Sequence, residues 1–256
     1  MNAFRDFGIF DIDRNGRATC PRCSKVRKKS RERCLAVNVD EGVWFCHHCE
    51  WRGSLKNKAT NIVDFEIRRR EKSARLTGGL DKARKVWAHG RSCKTHPYIK
   101  KKRIHPCGAR RRAHQLGCPE LMVPIWDGDA LASIQFISAT GNKRFAANTR
   151  VKGNYFVIPG SDTLAICEGF ATGCSLYIGT GYTVYAALSA SNLLSVAQRI
   201  RKANPKAKMI VAAGHDDVGL KNGRQAAKSV NAILIYPPES GDDFNDLAIK
   251  KGGGDE

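Results

Sequence analysis

The chain has 256 residues, 42% hydrophobic and 27% charged, which is a globular rather than a disordered composition. No apolar run nears the roughly 20 residues of a membrane span. Met1-Asn2-Ala3-Phe4-Arg5-Asp6 has no apolar stretch behind it, so the expectation is a cytoplasmic protein without a secretory leader or a membrane partner. The formal charge of +20 is lopsided, with a net +19 over residues 1–119 and +1 over residues 120–256. The first half is built to meet a polyanion, nucleic acid first among them.

In chain order, the first informative feature is a pair of knuckles, Cys20-Pro21-Arg22-Cys23 and Cys46-His47-His48-Cys49, with 22 residues between them. Two C-x2-C turns at this separation predict a four-thiolate zinc site through Cys20, Cys23, Cys46 and Cys49, with Cys34, His47 and His48 as competitors for the fourth place. Between the knuckles, Leu35–Val39 and Val43–Phe45 read as strands joined by Asp40-Glu41-Gly42. A small antiparallel sheet closed by a metal is a zinc ribbon, assigned to residues 1–57. It needs the metal because so short a segment has little core. Arg22, Lys25, Arg27, Lys28, Lys29, Arg31 and Arg33 surround it, with Trp44 and Trp51. Cations interleaved with rings suit single-stranded nucleic acid, and Trp51 is the candidate stacking ring.

Residues 58–80 read as a linker helix, apolar at Ile62, Val63, Phe65 and Ile67 and ended by Gly78-Gly79. Residues 82–119 hold twelve cations and no acid. Such a run repels itself, and phosphate would relieve it, which nominates Lys100, Lys101, Lys102, Arg103, Arg110, Arg111 and Arg112 as nucleotide or DNA contacts. Cys93, His96, His105 and Cys107 match no common metal spacing and read as free thiols and as histidines that stack or meet phosphate.

Residues 81–160 form a basic α+β region. Its strands are expected at Met122–Trp126, Leu131–Ile137, Lys143–Phe145 and Tyr155–Ile158, with Lys143 and Arg144 on a basic rim. From 161 to 256 strands and helices alternate. Strands fall at Thr163–Cys167, Thr183–Leu188, Lys208–Ala213 and Ala232–Tyr236, and helices run to Ile178, over Ser191–Ala203 and over Gly223–Val230. That alternation predicts a parallel sheet covered on both faces, so the whole chain is α+β and multidomain with an α/β C-terminal domain. Ligands of such sheets sit at the carboxyl ends of the strands. Glu168 ends the first strand, and His215, Asp216 and Asp217 end the third. Carboxylates gathered there call for a divalent cation, Mg2+ or Mn2+. The competing role for Asp216 and Asp217 is to cap the next helix.

This order of parts resembles the DnaG-type primases, and most of all their phage, plasmid and mobile-element subgroup. The ribbon is similar to the primase zinc-binding domain in Cys20-Pro21-Arg22-Cys23 and in Cys46-His47-His48-Cys49-Glu50-Trp51-Arg52-Gly53. The C-terminal part resembles a Toprim domain through Ile166-Cys167-Glu168-Gly169-Phe170-Ala171-Thr172-Gly173. The subgroup is marked by His96-Pro97-Tyr98-Ile99, Ser133-Ile134-Gln135-Phe136-Ile137, Gly141-Asn142-Lys143-Arg144-Phe145 and Gly241-Asp242-Asp243-Phe244-Asn245-Asp246-Leu247. One motif departs from the pattern. The Asp-x-Asp of Toprim domains is Ala213-Gly214-His215-Asp216-Asp217 here, with Gly214 or His215 in place of the first acid.

The resemblance implies synthesis of short RNA primers from ribonucleoside triphosphates on single-stranded DNA. Glu168, Asp216 and Asp217 would hold catalytic Mg2+ or Mn2+, and Asp243 would contribute from outside. Lys143, Arg144 and the 94–112 cations would meet triphosphate or template. A replicative helicase would act in trans or in a longer parent chain. Two other readings use the same residues: a Toprim nuclease, and a silent ribbon-and-Toprim single-strand binder whose altered Asp-x-Asp has lost catalysis.

Overall fold

The structure is a computed structural model that describes residues 3–10, 12, 14–26, 30–55, 62–113 and 119–252, with backbone alone over 62–67. Arg27, Lys28, Lys29, the linker start at 58–61 and the apolar side chains of Ile62, Val63, Phe65 and Ile67 lie outside the described residues or side chains. The chain divides into two compact units, Met1–Glu71 and Lys72–Glu256.

The first unit is a four-stranded antiparallel sheet of β1 (Gly16–Ala18), β2 (Leu35–Asn38), β3 (Val43–Cys46) and β4 (Arg52–Ser54), in that order. Period-two alternation turns Leu35 and Val37 of β2 and Trp44 and Cys46 of β3 inward, onto Phe4, Ile9 and Ile12. The β2–β3 turn is clamped by Asn15, whose Oδ1 accepts from Val39 N at 2.6 Å and whose Nδ2 donates to Asp40 at 2.6 Å.

Helix α1 (Ile62–Ala88) runs across the division between the units. It does not end at Gly78-Gly79, the pair that reads as a break in the sequence. A Cβ at Gly79 would overlap the Asn148 carbonyl, whereas one at Gly78 would meet open space. Gly79 is therefore a close-approach residue inside a helix. The last turns of α1 lie on one face of an antiparallel sheet, where Ala83 packs with Met122, Leu131, Ile134 and Phe136. That sheet is β5 (Arg91–Ser92), β6 (Arg110–Arg112), β7 (Glu120–Asp127), β8 (Ala130–Ile137) and β9 (Lys143–Phe145), in that order, with α2 (Pro97–Lys102) between β5 and β6. β7 and β8 are apolar almost throughout because both of their faces are covered.

The second sheet of this unit has the order β10 (Phe156–Ile158), β12 (Tyr182–Ala186), β11 (Ser161–Cys167), β13 (Met209–Ala212), β14 (Ile233–Ile235). β11 to β14 are parallel, and β10 joins antiparallel at the edge of β12. β10 was expected with the region ahead of it. Leu164 and Ile166 face α4 (Leu193–Ala203) and α5 (Asp217–Val230), while Ala165 and Cys167 face α3 (Phe170–Thr180). Helix α5 starts six residues before the expected Gly223, because Asp216 caps it. Gly223 serves packing rather than a loop: a Cβ there would press on Ala213. A last helix, α6 (Phe244–Lys250), follows β14. Among the described residues no helix is long and apolar enough to cross a membrane.

Candidate metal centre and active site

In the first unit Cys20, Cys23, Cys46 and Cys49 bring their sulfur atoms within 4.8 Å of one another. The Cys20–Cys49 and Cys23–Cys46 pairs are each 3.7 Å apart. Zinc bonded to sulfur at about 2.3 Å in a tetrahedron sets sulfur atoms about 3.8 Å apart, so the donor set and its spacing fit that ion. Burial pushes the Cys46 thiol up, but the backbone N–H groups of Cys49 and His48 and the neighbouring thiols outweigh it and bring it down to about 6. In the same cluster burial and the neighbouring thiols push the Cys23 thiol the other way, up from its ordinary value. Trp51 is half-buried, 5.5 Å from the Trp44 ring and under the Arg22 guanidinium. It packs on the ribbon core and stays partly exposed. The ring that β3 turns outward is Phe45, 37% exposed and edge-on to His47. The alternation of β3 carried that signal.

In the second unit β11 delivers Glu168, and the turn after β13 delivers Gly214 and Asp216. All three line one pocket of about 190 Å³ with Asp243, Lys102, Lys143, Tyr98 and Thr172. Helix α6 locks this arrangement. Asp243 caps it, with Oδ1 accepting from Asn245 N and Asp246 N, and its Oδ2 accepts from the Thr172 hydroxyl at 3.2 Å. The buried Asn245 amide donates to Lys102 O at 2.7 Å and Ser175 Oγ at 3.0 Å, tying α2 and α3 to α6. Asp246 pairs with Lys102 at 3.4 Å.

Asp216 lends Oδ1 to Gly219 N at 2.8 Å, so it caps α5 and lines the pocket at once. Asp217 takes the first position of α5, exposed, and does not line the pocket. Gly214 and Asp216, not His215 and Asp217, are the pair of the broken Asp-x-Asp that borders the pocket. Desolvation by the pocket wall and repulsion from Asp216 push the Glu168 carboxyl up, against the pull of Lys143 and the Ala190 N–H. Desolvation and the neighbouring Lys102 pull the Lys143 ammonium down. Acids that repel one another beside a phosphate-sized opening fit a Mg2+-type ion, which takes one or two protein carboxylates and completes its shell with water and phosphate. Among the described residues these carboxylates are spread more widely than the four thiolates.

The basic residues sort into two kinds. Arg112 donates two hydrogen bonds to Glu120, and Arg144 also donates to both Glu120 oxygens; the two guanidinium groups each lie 4.3 Å from the Phe136 ring centre. Arg110 stacks on Trp87 at 4.4 Å and donates to its carbonyl. These three brace the sheet, and the Arg144 side chain stays half exposed while it does so. Lys100, Lys101, Arg103 and Arg111 are exposed. His96 is buried, caps α2 by accepting from Tyr98 N and bonds Pro119 O, so it is neither a stacking nor a phosphate group. Tyr98 and Thr172 were missed as pocket residues, although both stand in motifs that mark the resemblance. The buried Tyr98 hydroxyl has no hydrogen-bond partner among the described residues, and desolvation and Asp243 raise it to about 12.

Residues 163–254 match the Toprim domain family. Two proteins named DNA primase TraC from Escherichia coli are 34% and 29% identical to this chain over 132 residues. The matched part is 45% of this chain and 12% and 9% of those proteins, so the chain spans a small fraction of their length. The zinc-binding and RNA polymerase domains of the Aquifex aeolicus primase share the fold at TM-score 0.52 and 14% identity, over 98% of this chain and 80% of that one. The primase fragment of the bacteriophage T7 primase-helicase protein does so at TM-score 0.50 and 12% identity, over 91% of this chain and 94% of that one. Residues 163–254 are therefore a Toprim domain, and they follow a four-cysteine ribbon in a chain with the fold of the primase zinc-binding and polymerase domains.

Proposed function

We propose that this chain is a DNA primase that joins ribonucleotides into short primers on single-stranded DNA during replication of a phage, plasmid or other mobile element. The observation that carries the reading is the pocket in which Glu168, Asp216 and Asp243 face Lys102 and Lys143 at the carboxyl end of the parallel sheet. It is supported by the likeness to the TraC primases.

In the reaction a primer 3′-hydroxyl would lose its proton to solvent as its oxygen attacks the α-phosphorus of a nucleoside triphosphate; the new O–P bond forms, the bond from the α-phosphorus to the bridging oxygen breaks and pyrophosphate leaves. Lys102 and Lys143 would neutralise the triphosphate and hold the leaving pyrophosphate. Glu168, Asp216 and Asp243 would hold Mg2+ or Mn2+, with Asp243 offsetting the acid missing at Gly214. The bound cation supplies charge neutralisation and alignment of the two reacting oxygens. The ribbon, closed by zinc on Cys20, Cys23, Cys46 and Cys49, would meet unpaired template through Phe45 and its surrounding cations. Lys100, Lys101, Arg103 and Arg111 would follow the template backbone. We assign the ribbon to residues 1–57, the linker to 58–80, the basic region to 81–155 and the catalytic domain, with β10 at the edge of its sheet, to 156–256. A helicase would partner it in trans or within a longer chain, in the cytoplasm.

Labelled ribonucleotides, single-stranded templates and Mg2+ or Mn2+ test the reading. Templated products of a few nucleotides support it. Shortening of a labelled strand supports a nuclease, and binding with neither reaction supports a silent single-strand binder.

A further inference from the structure

A fifth sulfur stands beside the four of the ribbon site. Cys34 Sγ is 3.8 Å from Cys23 Sγ and 3.6 Å from Cys46 Sγ. Those are tetrahedral edge lengths for a zinc–thiolate shell, in which bonds of about 2.3 Å put sulfur atoms about 3.8 Å apart. Cys34 thus completes a second triangle on the Cys23–Cys46 edge, yet it lies outside the set of four that are mutually within 4.8 Å. Its position is fixed, since the Cys34 carbonyl accepts from His47 N of the second knuckle at 3.0 Å. The sulfurs also differ in access. Cys20, Cys23, Cys46 and Cys34 are at most 6% exposed, whereas Cys49 is exposed. Solvent reagents therefore reach Cys49 before the buried spare, Cys34.

Resting on the zinc reading of the ribbon, we infer that Cys34 is a reserve ligand that replaces Cys49 in the metal shell. In the exchange Cys34 gives up its thiol proton as it binds, and Cys49 takes up a proton as it leaves, so the shell keeps four thiolates and its charge. With Cys49 alkylated, the Cys34 proton goes to solvent. The metal is then held by Cys20, Cys23, Cys46 and Cys34, and the ribbon stays folded.

The test compares the full chain with Cys34→Ser, Cys49→Ser and the double variant. Zinc content is measured after dialysis, and absorption is recorded after cobalt replacement, where thiolate-to-metal charge-transfer intensity counts the thiolates. The parent and Cys34→Ser should each hold about one zinc per chain. Cys49→Ser should keep its metal and the four-thiolate intensity, and the double variant should lose the metal or fall to three-thiolate intensity. A Cys49→Ser protein already at the level of the double variant overturns the inference while leaving the zinc ribbon in place. A parent without zinc overturns both. A second measurement needs no ligand substitution at Cys49. Native protein is treated with N-ethylmaleimide, the first adduct is placed by mass spectrometry, and zinc release is followed with a chromogenic chelator. The parent should retain zinc as Cys49 is modified, and Cys34→Ser should release it in step. Equal release from the two contradicts the reserve role.

Discussion

Glu120 faces two arginines and Glu168 faces Asp216, Asp243 and Lys143, and these surroundings drive the two carboxyls in opposite directions. Burial pushes Glu120 up, but the hydrogen bonds from Arg112 and Arg144 outweigh it and hold its carboxyl below the usual value of 4.5. Its contribution to stability is present above that value and is lost as pH falls through the depressed one. Glu120→Gln should cost about 1.5–3 kcal/mol near neutral pH, read by urea unfolding, and the gap to the parent should close in acid. Glu168 is raised by desolvation and by Asp216. Between the ordinary and raised values the folded chain holds a proton that the unfolded chain has released, so stability falls as pH rises through that window and stays lower above it. Without divalent metal, Glu168→Gln should therefore raise Tm at neutral pH and not in acid. Mg2+ should raise the Tm of the parent at neutral pH and leave that of the variant where it was.

At the scale of elements, glycines were the least legible residues. Gly78 and Gly79 look alike in sequence, but one faces solvent and the other lies against the Asn148 backbone inside α1. Gly78→Ala should stabilise by up to about 1 kcal/mol through helix propensity. Gly79→Ala should destabilise by about 1–3 kcal/mol through overpacking. Equal effects in a thermal-unfolding comparison would remove Gly79 as a packing residue. The core βαβ elements were readable because β11 and β13 are apolar runs that stop at Glu168 and at the 214–216 turn. The ribbon hairpin was readable from alternation on both sides of Asp40-Glu41-Gly42. The short strands β1, β4 and β5 carry too few residues to show a period, and so does α2 with its six residues. The pairing of Arg112 with Glu120 follows from strand register, which places them opposite each other across β6 and β7. Charge counting along the chain saw the arginine and not its partner. Asp243 and Asn245 entered through motif resemblance, and their use as helix cap and three-helix tie became visible only with α2, α3 and α6 in place.

At the scale of the whole molecule, the net charge of +20 divides into cations that build the fold and cations left for a ligand. Single-strand affinity should fall steeply with salt. Removing Lys100, Lys101 and Arg103 together should flatten the slope of log affinity against log salt by about 0.7 for each phosphate no longer neutralised. Arg112→Ala should lower stability and leave that slope unchanged, because its guanidinium is held by Glu120 and Phe136. A slope that responds to Arg112 and not to the α2 cations would reverse this division. The central claim is that the Glu168 pocket polymerises ribonucleotides, and template-dependent incorporation on single-stranded DNA by the parent and by Glu168→Gln tests it most directly. The account predicts short RNA products from the parent with Mg2+ or Mn2+ and none from a folded Glu168→Gln protein that still binds DNA; primers made by the variant at the parent rate, or by neither protein on any template, would contradict it.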